Sequence, residues 1–320
     1  MVYRMWIVLA AALAAAVPAA AQNFPVRPVR FIVPFAPGGN TDVQGRLIAL
    51  KLSERWGQQV VVDNRAGAGG TLGVEMLAKA PADGYTIALA SFGNILVGPS
   101  LFPKLPYDPM KDLAPVVLVS QPPGLLVVNP GLPVKTVADL IAYGKANPGK
   151  LNYGSAGNGT WNHLFAEHFK ALAGIPMTHV PYKGANPAVT DVIGGQIQLA
   201  FAPFPAAVPH IKSGRLRVLG VTSAQRSPVM PEVPTVAESG LAGYSAASWF
   251  AVLAPAKTPS PLIQKINADA NRVLALPEVR ADFAADGTEP VGGTPEQLRE
   301  SMRSGIEQWG RLVRDLGVKL

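Results

Sequence analysis

Two glycine-rich loops contain the residues of this sequence that could bind a small anion. The first covers residues 34–42 and follows a compact apolar strand pattern at residues 29–33. Its two glycines let the backbone approach a ligand closely, although an ordinary strand-to-helix turn would also use them. Asp42 is expected to cap the following helix rather than to touch an anion. The candidate ligand-binding residues of this loop are Phe35, Ala36, Gly38, Gly39, Asn40 and Thr41.

The second loop covers residues 154–160 and has small residues, hydroxyl groups and free backbone N–H groups, which suit an anion-binding nest. A helix pattern begins directly after it. A helix start leaves its first N–H groups unpaired and has a partial positive charge. Trp161 is expected to form a wall of the pocket or to pack in the core. His163 is expected to contact the ligand or to make a local hydrogen bond. The candidate residues are Ser155, Gly157, Asn158, Gly159, Thr160, Trp161 and His163.

A third glycine-rich loop, at residues 63–70, has only a superficial likeness to a dinucleotide-binding fingerprint. Its glycines at 67, 69 and 73 do not have the G-x-G-x-x-G spacing, and no acidic residue follows the next strand in the expected place. We therefore interpret this loop as structural, with Arg65 paired to a carboxylate.

The sequence patterns of catalytic and metal sites are missing. The chain has no cysteine, no G-x-S-x-G motif and no Walker motif. His163 and His168 lie five residues apart, which is wrong for two zinc ligands on one helix face. These observations favour a binding protein with no catalytic residue, metal or cofactor. An exported hydrolase or lyase is the alternative, with Ser155 and His163 as its only local candidates for nucleophile and base.

Short strands alternate with helices along the chain, which predicts two α/β lobes, each with a sheet covered by helices. The length of 320 residues, with 48% hydrophobic and 15% charged residues, permits a core in each lobe. Two extended crossings between the lobes would make a hinge and a central cleft. The predicted boundaries are 22–124 and 247–320 for the first lobe and 125–246 for the second.

The N-terminal segment has the pattern of a signal peptide at residues 1–21. Arg4 precedes an apolar run at residues 5–17, and small alanines at 19–21 end in a cleavage site after Ala21. The run is shorter than the roughly 20 residues of a membrane span, although an uncleaved anchor is the alternative. The mature chain is therefore expected in the periplasm, as a monomer. The net charge of the full sequence, +7, comes from scattered basic residues, which do not favour nucleic-acid binding.

Eight short motifs occur in order along the chain: 34–39 with Asp42, 63–65 with 67–70, 82–86, 154–159 with His163, 180–184, 209–214, 233–235 with 238–240, and 248–250. Together they resemble the extracytoplasmic solute receptors of tripartite tricarboxylate transporters, the Bug family. The resemblance implies a type II periplasmic-binding-protein fold. It also implies a carboxylate held between the loops at 35–40 and 155–160, with Ser91 and Asn94 as a further wall. The implied partners are one small and one large membrane subunit of a transporter.

One departure from the family pattern bears on the ligand. Family members often have an aspartate just after the strand at 197–201, where it can meet the ammonium group of an amino acid, but here the residue is Ala202. With aromatic residues such as Phe35 and Phe204 nearby in the sequence, this favours a di- or tricarboxylate or an aromatic carboxylate. Ala202 and Phe204 complete the candidate site. A receptor that serves a sensor kinase instead of a transporter fits the sequence equally well.

Overall fold

The strands of the protein lie in two separate sheets. The computed structural model describes residues 24–37, 40–285, 287–315 and 317, so the predicted signal peptide lies outside the described residues. Within these ranges the strands are β1 (Val29–Val33), β2 (Val60–Asn64), β3 (Thr86–Ser91), β4 (Leu113–Ser120), β5 (Leu125–Val128), β6 (Asn152–Ser155), β7 (Thr178–Pro181), β8 (Leu199–Ala202), β9 (Arg217–Val221), β10 (Phe250–Pro255) and β11 (Pro290–Gly292).

Helices cover and connect these strands. The α-helices of the described residues are α1 (Asn40–Trp56), α2 (Thr71–Ala78), α3 (Gly98–Leu101), α4 (Val137–Ala146), α5 (Trp161–Ala173), α6 (Ala185–Ile193), α7 (Phe204–Lys212), α8 (Ser260–Leu274), α9 (Pro277–Ala285) and α10 (Pro295–Asp315). A 3₁₀ turn precedes α2 at Ala68–Gly70, and a π-helical segment precedes α3 at Gly93–Val97. None of the helices in the described ranges is both long and apolar enough to span a membrane.

The first sheet has the strand order β11-β4-β10-β3-β1-β2. Strand β1 pairs in parallel with β2 and β3, and β10 runs antiparallel between β3 and β4. Because β1, β2 and β3 are parallel, their carboxyl ends meet at one edge of the sheet. The loops that lead into α1, α2 and the π-helical segment therefore lie side by side, where open α/β sheets bind ligands.

The second sheet has the order β7-β6-β8-β5-β9. Strand β6 is parallel to β7 and β8, whereas β5 is antiparallel to β8 and β9. The carboxyl ends of β6, β7 and β8 consequently share an edge, and the chain enters α5, α6 and α7 from that edge.

The chain passes between the two sheets twice. It leaves the first sheet after β4 and returns to it at β10. The two crossing segments touch through an antiparallel bridge between Pro123 and Ala247, and Ser248 N donates to the Pro122 carbonyl over 2.9 Å. We call the β1–β4, β10 and β11 unit the first lobe and the β5–β9 unit the second lobe. The predicted two-lobed α/β architecture is confirmed.

Several local sequence signals can be compared with the structure directly. The Thr136–Asp139 capping box at the start of α4 is present, and Thr294 and Gln297 make reciprocal hydrogen bonds at the start of α10. The sequence reading left out α6, α7 and α9. All three are nine residues long, and α7 contains a proline at 209, so their periodic pattern is short or interrupted.

Helix α1 exposes the face that its apolar spacing suggests should be buried. Val43 and Leu50, which share a face with Leu47, are 56% and 55% exposed, whereas Ile48 and Leu52 are buried in the core. The buried side of α1 also contains polar residues, because Gln44 accepts a hydrogen bond from Ser120 Oγ over 3.1 Å. When a helix buries polar side chains for such contacts, the spacing of its apolar residues does not identify the face that is buried.

The two lobes pack against each other through aromatic side chains. Phe165 of α5 in the second lobe lies 5.8 Å from Phe92 and 5.7 Å from Trp309 of the first lobe, measured between ring centroids. Phe92 and Trp309 also meet edge to face at 4.6 Å. All three rings are buried, so α5 is held against the first lobe beside the crossing segments.

Candidate ligand-binding cleft

The loop before α1 is held by a polar cluster at the end of β2. Asn64 Nδ2 donates to the Phe35 carbonyl over 3.0 Å and to Asp42 Oδ1 over 2.8 Å. Arg46 donates to both Asp42 and Asn64 over 2.9 Å. These contacts fix the backbone at Phe35. Arg65 pairs with Asp63 at 2.8 Å, which confirms the prediction that Arg65 meets a carboxylate within the third loop.

Asn94 presents an amide group beside this loop. Its side chain is fully buried, and Oδ1 accepts a hydrogen bond from Ser91 N over 2.9 Å. Its Nδ2 has no hydrogen-bond partner within the described residues. A Cβ atom added at Gly70 would lie 2.7 Å from this Nδ2 and 3.0 Å from the Phe35 ring. Phe35, Gly70 and Asn94 therefore surround one point at the carboxyl edge of the first sheet.

Contacts of Ser155, His163 and His179 hold the second-lobe loop in place. Ser155 Oγ accepts a hydrogen bond from Gly157 N over 3.0 Å and lies 2.6 Å from His179 Nε2. Gly159 N donates to His163 Nδ1 over 3.2 Å. The amides of Gly157 and Gly159 are thus used within the loop in this structure, although the sequence reading treated them as free.

Ser155 and His179 form a serine–histidine contact, but the hydroxyl serves the loop. Ser155 is 1% exposed, and its Oγ also lies 3.1 Å from the Gly157 carbonyl oxygen. His163, the histidine that the sequence suggested as a base, has its Nδ1 bonded to Gly159 instead. This geometry favours a positioning role for Ser155 over a role as a nucleophile.

Helix α5 begins at the end of this loop without a side-chain cap. Thr160 precedes the helix and makes no side-chain capping hydrogen bond, because its Oγ1 donates to the Gly157 carbonyl over 2.7 Å instead. The first N–H groups of a helix without a cap are available to an anion. The arrangement can therefore stabilise a negative charge without a cationic side chain.

The π-helical segment of the first lobe approaches the second-lobe loop across the cleft. A Cβ atom at Gly93, next to Asn94 in the first lobe, would lie 3.6 Å from the carbonyl oxygen of Gly159 in the second. A Cβ atom at Gly124, in the crossing segment, would meet the Trp161 ring at 2.7 Å. Trp161 therefore lies at the hinge end, where it also contacts Phe165 at 5.1 Å between ring centroids.

A narrow apolar pocket, too small to admit a water molecule, lies at the carboxyl ends of β6 and β8. Ser155, Asn162 and Ala202 line it together with Phe201 and small side chains of α6. Asn162 is buried, and its Nδ2 donates to the Phe201 carbonyl over 2.7 Å. Its Oδ1 lacks a hydrogen-bond partner in the part of the chain that the structure describes. The pocket thus presents one acceptor among apolar groups.

The remaining candidate residues lie in several places. Phe204 is buried against Gly287 of the first lobe, where an added Cβ atom would come within 2.4 Å of its ring. Thr41 is buried in the first turn of α1, and Ala36 and Asn158 are exposed. Gly38 and Gly39 lie outside the described residues, and so does the side chain of Asn40.

Sequence reasoning missed His179 and Asn162. The register of the second sheet places His179 directly beside Tyr153, because the parallel strands β6 and β7 pair at these residues. The sequence has a strand pattern around Tyr153 and another around His179. Only the pairing of these two strands would have identified the two residues as neighbours. Among the described residues, no group of three or more metal-ligating side chains forms a site.

The chain is similar to known receptors over nearly its full length. A family profile described as "Tripartite tricarboxylate transporter family receptor" matches residues 45–318. The protein BugT of Bordetella pertussis is 43% identical over 306 residues, which cover 95% of this chain and 94% of BugT.

Two solved structures share the fold and contain named ligands. R. palustris Rpa4515 with adipate is 38% identical, with a TM-score of 0.84, and the match covers 92% of this chain and 99% of that one. MatC from Rhodopseudomonas palustris with bound malate is 33% identical, with a TM-score of 0.80, and the match covers 91% and 100% of the two chains. The chain belongs to the tripartite tricarboxylate transporter family of receptors, as a solute-binding receptor of the Bug type.

Proposed function

We propose that this protein is a periplasmic receptor that captures a small carboxylate in the cleft between its lobes and delivers it to a tripartite transporter. The observation that carries this proposal is the opposition of two donor groups. Asn94 Nδ2 is buried and has no partner within the described residues, and the uncapped start of α5 follows Gly159, whose carbonyl oxygen would lie 3.6 Å from a Cβ atom at Gly93. A buried donor without a partner costs free energy, which a ligand oxygen would recover.

The charge of the site fits an anion bound by neutral groups. Backbone amides at a helix start and one side-chain amide supply donors, so a carboxylate can be held without a buried salt bridge and its desolvation cost. Contacts from both lobes exist together only when the lobes are close. A ligand that uses both sets of donors therefore favours the closed state.

The residue at the end of β8 narrows the ligand class. Ala202 brings no charge there, so this position offers no carboxylate to the ammonium group of an amino acid. We therefore favour a dicarboxylate or an aromatic carboxylate over an amino acid. The ligands of the two related structures, adipate and malate, are both dicarboxylates and support this choice.

The partners and location follow from the same proposal. One small and one large membrane subunit would receive the ligand from the receptor, which requires export of the chain to the periplasm. The N-terminal charged and apolar pattern at residues 1–21 supports export. Small-angle scattering of the mature chain should show compaction when ligand is added.

A ligand screen tests the proposal directly. The melting temperature of the mature chain is measured with adipate, malate, citrate, benzoate, aspartate and glutamate. Any acid that stabilises the fold is then titrated by calorimetry. We expect stabilisation by a dicarboxylate or by benzoate, because a ligand that binds only the folded state raises its stability. Stabilisation by the two amino acids alone would refute the ligand class, and no response to any carboxylate would count against the site.

A further inference from the structure

His163 and His179 form one stacked unit beneath the second-lobe loop. Their ring centroids are 4.1 Å apart and their planes differ by 15°. Each histidine contacts the loop at a different point. His179 Nε2 lies 2.6 Å from Ser155 Oγ, and His163 Nδ1 accepts the hydrogen bond from Gly159 N. The pair therefore supports both ends of the segment that faces the first lobe.

These contacts engage two of the loop amides. Ser155 Oγ accepts a hydrogen bond from the amide of Gly157, and His163 Nδ1 accepts one from the amide of Gly159. Both glycines have a positive φ, 125° and 73°, a conformation that side chains disfavour. With these two amides bonded within the loop, the Gly159 carbonyl lies towards Gly93 and the start of α5 has no side-chain cap. The loop shape that leaves the helix start open thus depends on the histidine pair.

The pair lies among groups that affect its charge. Tyr153 stacks on His179 at 4.9 Å, and its hydroxyl donates to Glu167 Oε1 over 2.6 Å. Lys170 donates to the same carboxylate over 3.1 Å, which offsets its charge. Burial lowers the pKa of both histidines, and for His179 it acts with the neighbouring His163 to lower the pKa to about 4. Both rings are therefore neutral near pH 7.

We infer that His163 and His179 are positioning residues of the carboxylate site, and that the loop holds a ligand only while His163 is neutral. Protonation of His163 turns Nδ1 from an acceptor into a donor, so it can no longer accept from Gly159 N. The Gly159 amide is then released and the loop loses the shape that leaves the α5 start uncovered. Ligand affinity consequently falls as the pH falls. This inference rests on the proposed carboxylate function.

Side chains of matched shape separate the hydrogen bond from the titration. In His163→Asn the amide oxygen can take the place of Nδ1 without titrating, and in His179→Gln an amide group can reach the place of Nε2. His163→Leu and His179→Leu remove the same contacts. Loss of one such contact should weaken binding by about tenfold or more, whereas the amide variants should stay within about threefold of wild type.

The full mature chain and these four variants are titrated with adipate, malate and benzoate at about pH 7.5, 6.5 and 5.5, with the melting temperature as a folding control. Protonation of the ligand affects all variants equally, so the difference between variants reports on the histidines. Because burial lowers the pKa of His163 below its usual value, the titrations extend to about pH 4.5, and we expect wild-type affinity to fall more steeply towards this pH than that of His163→Asn. At pH 7.5 we also expect the amide variants to bind the ligand more tightly than the leucine variants.

Two results would overturn the inference alone: a folded His163→Leu or His179→Leu that binds like wild type, or equal pH profiles for wild type and His163→Asn. If the leucine variants do not fold, the comparison of wild type with His163→Asn still decides the matter. A wild-type protein that binds none of the three acids would overturn the proposed function, and this inference with it.

Discussion

Replacing Asn94 by aspartate (Asn94→Asp) removes the unpartnered donor of the first lobe while it keeps the shape of the side chain. The oxygen that accepts from Ser91 N is retained, so the local fold has the same partner. The new carboxylate would face the position proposed for the ligand carboxylate, beside Phe35 and Gly70. The variant therefore changes the chemistry of this point without opening a cavity.

The expected loss of affinity has two sources. A hydrogen bond to a charged group contributes about 1.5–3 kcal/mol, which corresponds to roughly 10- to 150-fold in the dissociation constant. Two carboxylates about 4 Å apart repel by up to about 4 kcal/mol at an effective dielectric constant of about 20. The pair can avoid much of this repulsion by sharing a proton, so we take the lost hydrogen bond as the lower limit of the effect.

The pH dependence identifies the cause. A like charge raises the pKa of the introduced carboxyl group, so this group takes up a proton as the pH falls and can then donate to the ligand. Binding by Asn94→Asp should therefore recover towards pH 5.5, whereas wild-type binding weakens. Isothermal titration with adipate, malate and benzoate at about pH 7.5 and 5.5 measures both. Gln264→Glu makes the same charge change on an exposed face of α8 and serves as the control.

A folded Asn94→Asp variant that binds within about twofold of wild type at pH 7.5 would refute the reasoning, because the lower limit of the predicted effect is about tenfold. A recovery at low pH that Gln264→Glu shows as well would assign the pH effect to ligand protonation or to the overall charge. Circular dichroism and the melting temperature establish that each variant is folded.

Three further predictions concern stability. Asp269 is buried and accepts hydrogen bonds from Arg55 and Trp56 of α1 and from Lys265 of α8. Asp269→Asn should therefore lower the free energy of unfolding by about 2–4 kcal/mol in urea denaturation. The control Asp282→Asn, on an exposed face, should not have this effect. Gly287→Ala should lower the free energy of unfolding by about 2 kcal/mol or more, because the φ of Gly287 is 71° and the new methyl group would meet the Phe204 ring. Gly243 has a φ of 82° and open space around it, so Gly243→Ala measures the effect of the backbone strain alone. Because the pKa of His179 is lowered to about 4, the unfolded chain binds more protons between pH 6.5 and 4. The free energy of unfolding, measured by urea denaturation, should therefore fall as the pH is lowered from 6.5 to 4. It should fall less in His179→Gln.

The architecture could be predicted from the sequence because its signals are local. Alternating strand and helix patterns, helix caps at Thr136 and Thr294, and glycine-rich loops after strands each depend on a few neighbouring residues. The positions of the loops at 34–42 and 154–160 followed from the same signals. These elements placed both loops at the carboxyl edges of parallel strands before any pairing was known.

The side-chain partners could not be predicted, because they depend on strand pairing and on which helix face is buried. Nothing in the sequence around His179 indicates its partners, since only the parallel register of β6 and β7 brings it to Ser155 and Tyr153. Likewise, Val43 and Leu50 were placed on the apolar face of α1, whereas the fold buries the face that contains Gln44. Both differences arise from contacts between residues that are distant in sequence.

The neutral design of the cleft has a consequence for release of the ligand. A cationic side chain would attract a carboxylate in the open state as well as in the closed one, because a full charge acts over several ångströms. Partial charges on amides act only at short range, so in the proposed site the first-lobe amide of Asn94 and the start of α5 would hold the ligand together only when the lobes approach. Separation of the lobes would then remove the donors of one lobe at once. Under the proposed function, affinity that depends on closure in this way would favour release of the ligand to a membrane partner.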